Sequence, residues 1–70
     1  MIATFEYRCR RCNAIDKGVS VHSFLAADNL TELVLGIPLS GMGNPVLMTR
    51  SHPCEDGGRG IEDLIGYSVA

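Results

Sequence analysis

The chain has 70 residues, of which 46% are hydrophobic and 3 are cysteines, with a formal net charge of −2. That length allows a single domain, 1–70, which buries only about 60% of the surface its unfolded chain exposes and therefore needs a staple such as a metal, a disulfide or a partner. The apolar fraction excludes disorder, and the near-neutral charge argues against a protein that lives on nonspecific phosphate contacts.

Residues 2–8 alternate: Ile2, Thr4, Glu6 and Arg8 face one way, Ala3, Phe5 and Tyr7 the other. With two aromatics in the run, the pattern predicts a strand. It leads into Cys9-Arg10-Arg11-Cys12, where two residues between thiols make a tight turn that aims both sulfurs at one spot. Asn13 after it tolerates a left-handed backbone. A second strand leaves over 14–22 with a break at Lys17-Gly18. The period then changes. Phe24, Ala27, Leu30, Leu33, Val34 and Ile37 fall on one helical face, predicting a helix over about 24–36. Either Ser23 caps it, or Asn29 caps a shorter helix with Glu32 completing a capping box. Gly36 with Pro38 beyond it is a stop signal. Residues 38–45 read as a loop with two glycines and two prolines, and 46–52 as a third strand. Residues 55–60 are turn-rich. Ile61 to Ile65 reads as one helical turn stopped by Gly66, and 67–69 as a last short strand.

The third strand ends in His52-Pro53-Cys54. Alternation puts residues 52 and 54 on the same side, and Pro53 stiffens the pair. Cys9, Cys12, His52 and Cys54 together make a set of three sulfurs and one imidazole nitrogen, suited to one tetrahedral zinc. Three cysteines close no disulfide framework, but with a neighbouring histidine they suit a metal and a reducing, cytoplasmic setting. His22 is the rival fourth ligand. The bland alternative, three buried cysteines acting as small hydrophobes, leaves the joint spacing unexplained. A redox CxxC sits at a helix start in a larger fold, and no helix pattern follows Cys12. A catalytic zinc needs an open position and a base. Here all four ligands are supplied and 70 residues leave little room for a pocket, so the expectation is not an enzyme.

No run approaches the ~18 apolar residues of a membrane span, and the first residues are too short for a signal peptide. Arg8, Arg10, Arg11 and Arg50 crowd the two knuckles and are the candidate nucleic-acid contacts, with Phe5 and Tyr7 as stacking groups. The competing reading places both aromatics in the core. Leu39, Met42, Leu47 and Met48 are the candidate partner surface, because apolar residues beyond the needs of so small a core imply a partner and Met adapts to varied contacts.

The opening Thr4-Phe5-Glu6-Tyr7-Arg8-Cys9-Arg10-Arg11-Cys12 resembles the start of FmdB-type small zinc ribbons, which begin with a short strand running into a CxxC. The resemblance covers about the first dozen residues. That family's second knuckle is normally another CxxC, where this chain has His-x-Cys, and the glycine that usually follows the first knuckle is Asn13 here. The build is also similar in style to short zinc-ribbon proteins of actinobacteria and their phages. The resulting expectation is a small β-rich α+β domain, zinc-ribbon-like with one inserted helix, carrying one structural zinc. Its expected role is that of a non-enzymatic accessory module docking on a larger protein. The alternatives are a nucleic-acid-binding or transcription-associated ribbon, and self-assembly through an edge strand.

Overall fold

A computed structural model describes residues 1–39 and 43–70. The elements are β1 (Ile2–Cys9), β2 (Ile15–His22), α1 (Ser23–Leu35), β3 (Thr49–Pro53) and β4 (Arg59–Val69). The strands form one antiparallel sheet in the order β2-β1-β4-β3. The fold is thus small, β-rich and α+β.

β1 behaves as its alternation requires. Ala3, Phe5, Tyr7 and Cys9 are all buried on one face, while Ile2 and Arg8 are exposed on the other. Its register with β4 stacks matched pairs on the inner face: Phe5 opposite Tyr67, Tyr7 opposite Leu64, Cys9 opposite Glu62. Such cross-strand pairs are the unit of sheet stabilisation. The break read at Lys17-Gly18 is a bulge inside one continuous strand: the β1–β2 register slips between Thr4 and Glu6. Gly18 is required there, because a Cβ would lie 2.5 Å from the Tyr7 ring.

Three expectations are corrected. Residues 61–65 are not a helical turn but the middle of β4, the longest strand, paired to β1 on one side and β3 on the other. Five residues between two glycines cannot sustain an isolated helix, whereas two neighbouring strands supply ladder partners on both sides. Gly66 ends nothing. It lies beside a second bulge, with φ of 143°, a value that favours glycine. The third strand begins at Thr49 rather than 46; Val46 is buried as part of an irregular segment instead.

The helix is present and ends where expected. Gly36 adopts the left-handed conformation, φ 71°, and its N–H donates to the Glu32 carbonyl. It starts at Ser23, with His22 in the extended cap position and no side-chain cap. Asn29 is not a cap but a buried residue within the helix. The face differs from the expected stripe. Ala26, Asn29, Leu30 and Leu33 turn to the sheet, while Phe24, Val34 and Ile37 are exposed, Phe24 to 73%. The inner face of the sheet is covered at one end by α1, against Ala3 and Phe5. Towards the other end the segment before β3 takes over: the Tyr7 hydroxyl donates to the Leu47 carbonyl at 2.7 Å, and the Arg50 guanidinium lies 4.2 Å from the Tyr7 ring centroid. Asn44 ties this segment to the helix. Its Nδ2 donates to the Asn29 carbonyl, and its Oδ1 accepts from the Val46 N–H.

Among the described residues, no helix is long and apolar enough to cross a membrane.

Candidate metal centre

Because β1 pairs with both β2 and β4, and β4 with β3, the β1–β2 and β3–β4 tips lie at the same end of the sheet. Each tip is built by local backbone hydrogen bonds. In the first, the Cys9 N–H donates to the Ala14 carbonyl and the Asn13 N–H to the Cys9 carbonyl, both at 3.0 Å. Asn13 takes φ of 62°, as its residue type allows. The Arg11 N–H points at Cys9 Sγ, 3.4 Å away. In the second tip, the Cys54 N–H donates to the Gly58 carbonyl, the Gly57 N–H to the Cys54 carbonyl, and the Gly58 N–H to Asp56 Oδ1.

The ligand atoms of Cys9, Cys12, His52 and Cys54 all lie within 4.8 Å of one another. Cys9 and Cys54 Sγ are 3.8 Å apart. Cys9 and Cys54 are buried; Cys12 is exposed at the rim of a cleft of about 450 Å³ between the tips, flanked by Ala14, Pro53 and Glu55. The donors can therefore hold one metal ion at the sheet end, closed beneath and reachable from one side. Gly60 makes room for this. A Cβ there would sit 2.6 Å from Cys9 Sγ and 2.9 Å from the Arg11 Cβ. His22, the rival ligand, is at the opposite end of β2, beside Ile2 and stacked on Phe24.

The electrostatics favour thiolate at one sulfur. The Cys9 thiol is drawn down to about 7, first by the Cys12 backbone N–H, against burial, with help from the Arg11 amide and the neighbouring sulfurs. At Cys12 the Ala14 amide pulls down, but burial and the shared Cys54 and Cys9 sulfurs outweigh it and the thiol moves up. Charge on one of these sulfurs disfavours charge on its neighbours.

The arginines at this end are mostly engaged. Arg10 makes a two-pronged pair with Asp63, and Arg11 another with Asp56, the closest contact in each being 2.7 Å. Their partners' carboxyls are held below the usual range, Asp63 by Arg10, Asp56 by Arg11 and then by the Gly58 N–H. Arg50 reaches Glu62, Asp16 and the Lys17 carbonyl. Arg8 is exposed. Phe5 and Tyr7 are fully buried and present no stacking face. Of the expected partner surface, Leu39, Leu47 and Met48 are exposed, Leu47 to 57%, while Met42 lies outside the described residues.

Sequence reading missed Glu62 and Asp16. Both lie beside His52, with Glu62 Oε2 3.2 Å and Asp16 Oδ2 3.5 Å from its Nδ1. The signal for Glu62 was present but hidden by the helical reading of 61–65. Read as a strand, Gly60, Glu62 and Leu64 share one face.

Comparison with known proteins returns no match: no family model, curated protein or solved structure aligns significantly with this chain.

Proposed function

We propose that this protein is a non-enzymatic module whose fold is locked by one zinc ion on Cys9, Cys12, His52 and Cys54. The observation that carries the reading is the donor set and its spacing. A tetrahedron with zinc–sulfur bonds of about 2.3 Å has a sulfur–sulfur edge of about 3.8 Å, and the Cys9–Cys54 separation is 3.8 Å. Three soft sulfurs with one imidazole select zinc over the oxygen-seeking cations. Four protein donors close the coordination shell, which is the arrangement of a structural rather than a catalytic site. A zinc ribbon of the FmdB type fits this plan of two hairpin tips meeting at one end.

The role that goes with a structural site on a small domain is presentation of a surface, and the surface we assign is apolar. Leu47 and Met48 are exposed and adjacent in sequence, and Leu39 is exposed in the segment that follows the helix, near the exposed Val34 and Ile37 in sequence. Three of the four arginines considered for phosphate contact are bound to Asp63, Asp56 and Glu62 instead, which favours a protein partner over nucleic acid.

Two experiments test the two halves. Cobalt titration should give one equivalent per chain with the visible bands of a tetrahedral thiolate site, displaced by zinc; an octahedral, colour-poor complex contradicts the ligand set. For docking, affinity capture with wild type and with a Leu47→Ser, Met48→Ser double variant should show a partner lost in the variant. An unchanged partner list, or capture of nucleic acid that falls steeply with salt, contradicts the apolar surface.

A further inference from the structure

Beneath the four ligand atoms lies a cluster that the metal reading leaves unused. Glu62 is fully buried, placed in the ladder opposite Cys9 on one side and Arg50 on the other. The rungs before it on the same face are apolar or aromatic, Tyr7 with Leu64 and Phe5 with Tyr67. A carboxylate at this position is costly, and an aliphatic side chain would fill the space without the desolvation penalty. Its oxygens divide their tasks. Oε1 accepts from Arg50 Nε, and Oε2 faces His52 Nδ1 at 3.2 Å. Among the described residues, His52 Nδ1 and Glu62 Oε2 are the buried side-chain polar atoms with no hydrogen-bond partner. They approach each other without hydrogen-bond alignment, and a small rotation of the imidazole would join them. Asp16 Oδ2, from β2, stands 3.5 Å from the same nitrogen and 3.5 Å from Arg50 Nη2.

Asp16, His52 and Glu62 also have the spacing of a cation site. The Arg50 guanidinium already supplies positive charge to both carboxylates, so the arrangement serves the imidazole rather than a second metal. A neutral imidazole has one proton and one lone pair. The nitrogen that faces carboxylates keeps the proton as a donor, and the other keeps the lone pair.

We infer that Glu62, itself held by Arg50, is a positioning residue that fixes His52 with its proton on Nδ1 and thereby presents Nε2 to the metal. The inference rests on the metal reading above. Carboxylates that accept the outer N–H of a ligating histidine fix its tautomer and ring orientation, and raise its basicity. Loss of such a partner costs about 10- to 100-fold in metal affinity.

The test is a double-mutant cycle of zinc affinity, measured by competition with a chromophoric chelator on the full chain. The four proteins are wild type, Glu62→Gln, His52→Cys and the double variant. Glu62→Gln should weaken zinc about 10- to 100-fold in the wild-type background. It should leave the affinity of His52→Cys nearly unchanged, because a thiolate has no tautomer to fix. Equal weakening in both backgrounds, or none in the first, overturns the inference. Should a variant fail to fold, the nitrogen-15 shifts of His52 in the zinc-loaded wild type decide instead: coordination through Nε2 with Nδ1 protonated is expected, and coordination through Nδ1 overturns it. A wild-type chain that takes up no zinc overturns the metal reading itself, an outcome distinct from all of these.

Discussion

At one end of the sheet, Ala3 and Phe5 are buried beneath Ala26, Leu30 and Leu33 of the helix. At the other, the ligand atoms of three cysteines and a histidine gather at the strand tips near the buried Glu62, flanked by paired arginines and aspartates. β1 runs through both, so one strand carries an apolar anchor at its start and a ligand at its finish. The first end is held by burial, which is roughly proportional to area and tolerant of detail. The second buries polar groups that repel or go unsatisfied unless something joins them. In so small a domain the first end alone is marginal. On the proposal of a bound zinc, the cysteine–histidine end is the one that specifies the fold, while the helix end contributes ordinary core stability.

The largest way to break this comparison is at a ligand. Cys54→Ser removes a buried donor, and with it much of the ~10–16 kcal/mol that structural zinc contributes in small domains. The variant should lack a cooperative thermal transition by circular dichroism even in excess zinc; a melt at the wild-type temperature would contradict the assignment. Next is the helix end. Phe5→Ala should cost about 3–5 kcal/mol as a fully buried aromatic, yet a refolded, zinc-loaded variant should keep wild-type cobalt bands. Altered bands would mean that the two ends are not separable.

A smaller change sharpens the metal end alone. Gly60→Ala puts a methyl 2.6 Å from Cys9 Sγ. Crowding of that kind costs about 1–3 kcal/mol and should appear in zinc competition as weakened affinity. Unchanged affinity would show that the tips are free to spread. The smallest effect should come from Asp63→Asn, which breaks an exposed pair of a kind that contributes little. Arg10 lowers the Asp63 pKa in the folded chain. The pair's contribution is therefore present above the unfolded aspartate value near 4 and is lost as pH falls through the lower folded value. Urea midpoints of wild type and variant should differ slightly at neutral pH and converge in acid. A gap that widens in acid would contradict the pairing.

Much of the metal end was legible because its signals are local. Cys9-x-x-Cys12 makes its own turn, Pro53 fixes the spacing of His52 and Cys54, and Asn13 takes the left-handed angle its type permits. Gly36 likewise stopped the helix by its own backbone freedom. What was illegible depends on neighbours distant in sequence. Ile61 to Ile65 carries Glu, Asp and Leu, which suit a helix turn. Only the presence of β1 and β3 on either side makes it a central strand. The helix face was misplaced because hydrophobic residues occur around most of its circumference, and contact with the sheet selected Ala26 and Asn29 over Phe24 and Val34. Glu62 stayed hidden for the same reason: a buried carboxylate is recognisable only once its strand and its partner are known.

The most direct test of the central claim is native mass spectrometry of the full chain with and without a strong chelator, with circular dichroism on the same samples. The account predicts one zinc per chain, and loss of ordered structure when the chelator removes it. A chain that carries no metal, or one that keeps its cooperative fold after zinc is stripped, would contradict it.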